Sequence, residues 1–300
     1  MLSVNALRLL HVLRLRGTLT AAAEELRLSR SAASHQLATL QRAVGSPLTE
    51  KVGRGLRLTE SGELLAVHAA RVLRELEEAE TAVEGLRRAP TGTVRLGAIQ
   101  TIPAALLPRL LTTVRRRHPG LRLETITMTT DEGLLSLSAG HLDIAIVQSY
   151  DARPLRLEPG IRAEVLFHDP VNLLLPAAHE LAAADGPVAI AALERHGWIA
   201  GTPSSYFGQL VPSLCRRAGF TPDIVHRSDD FNVVASLVAA GQGVALIPRS
   251  AATAAWDGIA AKAIDDDSGR DVVAALRAGS VARPAIRAVL AALRRAASDA

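Results

Sequence analysis

The chain has 300 residues, of which 48% are hydrophobic and 21% charged, enough for more than one folded domain and too apolar for a disordered one. Aromatic residues are only 3%, so the core must be aliphatic, and base-stacking platforms for RNA or single strands are disfavoured. The net charge of +4 is uneven: residues 1–58 hold nine Arg and Lys against three Glu, a net of +6, which leaves −2 for the rest. A basic head on a near-neutral body points to a polyanionic partner.

In chain order, Ala6, Leu9, Leu10 and Leu13 form a helical stripe that Gly17-Thr18 breaks. Thr18 is placed to cap a short helix with Ala22, Ala23 and Leu26 on its inner face. After a turn at Arg27 to Ser29, Ala33, Leu37, Leu40 and Val44 make a second stripe, capped by Ser29 and closed by Gly45. The opposite face carries Ser31, Ser34, His35, Ala38 and Arg42, small residues and two cation-forming ones with no acid. Two short helices joined tightly, the second basic and small-faced, are helix-turn-helix geometry. The second would lie in the major groove of double-stranded DNA, with Arg30 in reach of a guanine edge.

Leu48–Val52 and Leu56–Leu58 are predicted as two strands of a wing whose tip, Gly53-Arg54-Gly55, offers Arg54 to the DNA backbone or minor groove. Thr59 caps a predicted helix from Glu60 to Arg88 with the stripe Leu65, Val72, Leu76, Ala79, Val83 and Leu86, a dimerisation element. Ala89-Pro90-Thr91-Gly92 ends it. From Thr93 strands alternate with helices: "TVRLG", a helix from Pro103 to His118, "LRLETIT", a helix from Glu132 to Ala139, and "DIAIV". A second set reads "IRAEVLF", "VNLLLP", "GWIAG", "PDIVH" and "VALIP", and a last helix begins near Val281. The alternation implies an α/β region with parallel sheet.

The order and spacing of "GTLTAAAEELRLSRSAASHQLATLQRAVGSPL", "GRGLRLTESGELL", "VRLGAIQTIPAALLPRLL", "GHLDIAIV" and "LVAAGQGVALIP" resemble the LysR-type transcriptional regulators over essentially the whole chain. The resemblance implies an α+β multidomain fold: a winged helix-turn-helix (1–58), a linker helix that pairs two chains (59–90), and an effector domain (91–300) of two α/β lobes similar to periplasmic binding proteins. Lobe I is expected over 91–161 and 268–300, lobe II over 162–267. It further implies DNA binding as a homodimer or dimer of dimers, a small effector, RNA polymerase as a further partner, and no enzymatic activity. The sequence departs from the family at Arg30 and Ser31, where glutamine and proline are usual, and at Thr49 and Lys51, where phenylalanine and arginine are common.

Hydroxyls precede two predicted helix ends, at Gln100-Thr101 and Thr129-Thr130, where backbone N–H groups suit a polar or anionic metabolite. The family's cleft lies at these positions. Thr202, Pro203 and Ser204 would form the facing wall, and Phe207 and Phe231 an apolar lining; ordinary capping and core packing are the alternatives. His168-Asp169 and His179-Glu180 lack metal-ligand spacing, no cofactor is expected, and Asp143 is read as a cap or brace of the fold, not a catalyst. The lone Cys215 excludes an intramolecular disulfide, lacks a partner for a two-cysteine switch, and fits a reducing cytoplasm. Arg8 and Arg14 interrupt the opening apolar stretch, which makes it a poor signal peptide, and Phe231–Pro248 reads as helix, turn and strand, not as a membrane span. Two rival classes are weaker. A pure solute-binding protein would not need the basic head, and an α/β enzyme would need a phosphate loop, nucleophile elbow or acid–base pair that the sequence does not offer.

Overall fold

The computed structural model describes residues 2–52, 55–86, 89–102, 106–151, 153–205, 207–252 and 256–298. The head is built from α1 (Val4–Arg16), α2 (Leu19–Glu25) and α3 (Arg30–Val44), followed by the antiparallel hairpin β1 (Thr49–Val52) and β2 (Gly55–Leu58). Its caps are those the sequence predicts. The Thr18 hydroxyl accepts from the N–H of Ala21, and the Ser29 hydroxyl from that of Ala32. Such caps stabilise a helix by about 1 kcal/mol each. The turn between α2 and α3 is tight enough to hold Arg27 at φ +54°, in the left-handed region. Leu9, Leu10, Ala33, Leu37 and Leu40 bury together as the head's core, while Val44 stays exposed at the helix end.

The linker α4 (Glu60–Glu84) is capped by Thr59, whose hydroxyl accepts from Gly62 N–H and donates to Pro47 O. Gly62 is required by close approach: a Cβ there would lie 2.0 Å from Leu48 O. Small residues Gly62, Ala66 and Ala69 bury one face of α4, and α4 packs against α1. The predicted stripe is a different face. Val72, Leu76, Val83 and Leu86 are exposed, as is Ala79, and Leu65 is half-buried.

The remaining elements are β3 (Gly92–Ala98), α5 (Leu106–Arg117), β4 (Leu121–Thr127), α6 (Thr130–Ala139), β5 (Ile144–Tyr150), β6 (Ile161–Pro176), β7 (Gly197–Ala200), α7 (Leu210–Arg217), β8 (Asp223–Arg227), α8 (Phe231–Ala239), β9 (Val244–Pro248), β10 (Ile259–Ala263), β11 (Gly269–Arg277) and α9 (Pro284–Ser298). They form one sheet in the order β4-β3-β5-β11-β6-β9-β7-β8, with β10 also on β6. The strands β3, β4 and β5 are mutually parallel in lobe I, and β7, β8 and β9 in lobe II.

Two expectations are corrected here. "IRAEVLF" and "VNLLLP" are one continuous strand, β6, and β10 and β11 stand outside the predicted set. The first half of β6, to Pro170, pairs with β11, whereas Val171 onward pairs with β9 and β10. The change of partner falls at Pro170, within one strand. The physical reason is local: proline has no N–H to donate, and it sits where β6 changes partners, so the strand passes through it intact. Pro103, predicted to start α5, lies outside the described residues. The last helix starts at Pro284, where the missing N–H costs nothing.

The head rests on lobe I of the same chain. Ala139, at the end of α6, joins the head's core. Glu25 accepts from Ser136 Oγ at 3.1 Å and faces His141 Nδ1 at 3.2 Å. Asp143 is a brace: its carboxylate accepts from Arg95 N–H at 2.8 Å and from Arg283 at 3.2 Å, while Arg283 also holds Glu84 of α4. Among the described residues no helix is long and apolar enough to cross a membrane, and no group of three or more His, Cys, Asp or Glu is placed to hold a metal.

Candidate nucleic-acid interface and ligand cleft

The outer face of α3 is as the stripe demands. Arg30, Ser31, Ser34, His35, Ala38 and Arg42 are all exposed along it. Arg42 donates to Thr39 Oγ1 at 3.0 Å, and Ser31 Oγ lies 3.0 Å from the capping Ser29 Oγ. Arg54 lies outside the described residues. On the wing, Arg57 is paired with Glu50 at 2.6 Å, which offsets part of the head's charge.

The joint between α3 and the wing rests on a residue that no motif marks. Gln41 Oε1 accepts from Leu48 N at 2.9 Å, Thr49 N at 3.2 Å and Thr49 Oγ1 at 3.2 Å. Thr49, noted only as a departure from the family, thus contributes a hydroxyl to that joint. A half-buried glutamine at one edge of the apolar stripe was the available signal.

Between the lobes lies a cleft of ≈ 440 Å³, lined by Gln100, Thr101, Thr130, Thr202, Ser204, Phe207 and Phe231 together with neighbours from both lobes. Seven of the eight predicted effector residues are therefore brought together. Pro203 is not part of the lining; its carbonyl accepts from Gln209 Nε2 at 3.5 Å. Phe207 and Phe231 meet edge to face, with centroids 5.1 Å apart.

Behind the cleft wall lies what the sequence did not reveal. Arg270, at the start of β11, has a fully buried side chain. Its Nε donates to Asp169 at 3.0 Å, Nη1 to Gln148 Oε1 at 2.7 Å and to Thr101 Oγ1, and Nη2 to Thr101 O at 2.8 Å and Ser250 Oγ at 3.3 Å. Asp169, 2% exposed, also accepts from Ser250 N at 2.9 Å and Ser250 Oγ at 2.5 Å. The pair stands opposite in register at the strand where the lobes divide, and its partners come from both lobes. Arg153 forms a second link, from Asp131 of lobe I at 3.2 Å to Ser204 O of lobe II.

Two hydroxyls differ from expectation. Thr130 is 2% exposed and its Oγ1 accepts from Gln148 N at 3.3 Å, so it serves the interior of lobe I. The N-terminus of α6 is closed by its own capping box: Glu132 accepts from Thr129 N and Oγ1, both at 2.9 Å, and its N–H returns to Thr129. Those Thr129 bonds hold the Glu132 carboxyl below the ordinary range. A carboxylate already occupies the place where an anionic ligand was expected, and Asp131 and Asp229 add two more acids to the lining.

A winged helix-turn-helix joined by a long helix to a two-lobed, cleft-bearing α/β domain defines a DNA-binding protein with a substrate-binding type of second domain. Known proteins agree with that class. Residues 4–63 match "Bacterial regulatory helix-turn-helix protein, lysR family", and residues 87–298 match "LysR substrate binding domain". The chain belongs to the LysR family of transcriptional regulators, which are not enzymes.

A "Probable hydrogen peroxide-inducible genes activator" of Streptomyces viridosporus is 29% identical over 283 residues, 93% of this chain and 89% of that protein. A "Probable RuBisCO transcriptional regulator" of Cyanidioschyzon merolae is 29% identical over 180 residues, 60% of this chain and 59% of that one, so the match spans less than two thirds of that relative. A full-length OxyR variant from Pseudomonas aeruginosa superposes with a TM-score of 0.71 over 98% of this chain and 95% of that one, at 23% identity, a likeness of fold.

Proposed function

We propose that the protein is a sequence-specific double-stranded DNA-binding regulator, cytoplasmic and self-associating through α4, whose activity is set by a small polar metabolite held between the lobes. RNA polymerase is the further partner such a regulator would engage. The observation that carries the reading is the exposed, acid-free face of α3 on a head of net charge +6. The exposed stripe of Val72, Leu76 and Val83 supports pairing of two chains.

Helix α6 supports a route from cleft to head. Asp131, in its first turn, lines the cleft; Ser136 and Ala139, toward its other end, touch the head. Ten residues span about 15 Å as one rigid rod. A ligand that favours one seating of α6 over another would bias the seating of the head, and only that difference in affinity can do so. A peroxide-sensing role, which the Streptomyces relative's name raises, is disfavoured because Cys215 is buried and burial pushes its thiol up to about 12.

The test is selection of duplexes from a random pool, followed by titration. Arg30→Ala should relax preference at one base position by about 1–3 kcal/mol. Arg54→Ala should weaken binding to every sequence and lower the slope of log K against log salt by about 0.9. A protein that selects no sequence over random DNA overturns the proposal.

A further inference from the structure

We infer that the cleft takes a cationic ligand, an organic ammonium compound, in preference to a carboxylate or phosphate. The inference rests on the cleft being the effector site, as proposed above. Three carboxylates line it, those of Asp131, Glu132 and Asp229, and none of the described lining residues is Arg, Lys or His. Arg153 compensates Asp131. Glu132 and Asp229 take their hydrogen bonds from uncharged threonines: Thr129 gives its N–H and hydroxyl to Glu132, and Thr202 gives its N–H at 3.1 Å and hydroxyl at 2.5 Å to Asp229.

A second observation is independent of these charges. The strongest donors beside the cleft already have acceptors. All five N–H groups of Arg270 go to Asp169, Gln148, Thr101 and Ser250, as described above, and both donors of Thr202 go to Asp229. An anion that sought the Arg270 guanidinium or Thr202 would have to displace internal partners, whereas an ammonium group finds acceptors with lone pairs to share. The Phe207–Phe231 pair adds ring faces whose quadrupole attracts cations.

The preference is testable without knowing the metabolite. Ser204→Cys places a thiol in the cleft, and Thr127→Cys is a second position should the first perturb folding; the wild type, whose single cysteine is buried, is the blank. Each variant is reacted with the trimethylammonium-ethyl and the sulfonato-ethyl methanethiosulfonates, and the ratio of rates is divided by that for 2-mercaptoethanol. A cleft of one sign concentrates counter-ions at least about tenfold, so the corrected ratio should favour the cationic reagent by about 10 or more. It should collapse toward parity in an Asp229→Asn, Glu132→Gln background. A corrected ratio at or below parity overturns the inference. The labelled proteins are then titrated with a selected duplex. If neither label alters affinity, the effector reading of the cleft fails, whichever reagent reacted faster.

Discussion

Arg270→Met tests whether the arginine behind the cleft wall holds the lobes together. Methionine keeps the aliphatic stem and removes every donor. Asp169, 2% exposed, would keep only the N–H and hydroxyl of Ser250, and Gln148 Oε1 and Thr101 O would each lose a partner. Leaving a buried carboxylate without its cation costs about 3–5 kcal/mol, and at about 2–4 °C per kcal/mol the loss in Tm should be near ~10 °C. The cost should fall sharply in the double variant Asp169→Leu/Arg270→Met, because the stranded charge is then removed as well. Both tryptophans, Trp198 and Trp256, lie in lobe II, so fluorescence-detected urea unfolding reports the region next to the pair. If Arg270→Met costs less than about 1 kcal/mol, or if the double variant is no more stable than the single one, the pair does not hold the lobes as argued.

Gln41→Leu removes the acceptor shared by Leu48 N, Thr49 N and Thr49 Oγ1; it should cost about 1–3 kcal/mol, speed hydrogen exchange at the amides of Leu48 and Thr49, and weaken DNA binding with α3 still helical. Unchanged exchange at those amides would exclude Gln41 from the joint. Burial, and then the charge of Arg14, lower His11 from 6.5 to about 4, so the unfolded chain takes up its proton first. The stabilisation is therefore complete above about 6.5 and is lost as pH falls toward 4, by about 3 kcal/mol in all. His11→Leu should flatten the fall in Tm between about pH 7.5 and 5, and an equally steep fall in the variant would refute the assignment. Leu76→Glu, on the exposed stripe of α4, should abolish the dimer and, with it, tight DNA binding; a variant that sediments as a dimer would remove this face from the interface.

What could be read from the sequence was local. Ser29, Thr18 and Thr59 cap helices through bonds to residues three positions on, and the stripe Ala33, Leu37 and Leu40 follows from helical period alone. The strand β11 was not legible because its run Val272–Leu276 is buried on both faces and shows no alternation. The continuity of β6 was hidden by Pro170, which looks like a breaker until its change of partner is seen. The same division runs through the cleft. Thr101, the Thr127–Thr130 segment and Thr202 follow the ends of parallel strands β3, β4 and β7, the edge at which α/β sheets bind ligands, so hydroxyls there mark a candidate site by position. Whether a given hydroxyl faces the ligand is decided elsewhere. Thr101 is held by Arg270, 169 residues away in the chain, and Arg270 is in turn oriented by Asp169 across the strand pair where the lobes divide. Thr101 therefore belongs to two places at once: its oxygen accepts from the arginine at the division, and the residue also lines the cleft. The cleft wall is thus tied to the pair between the lobes through a single side chain, and no periodicity or motif could have disclosed the connection.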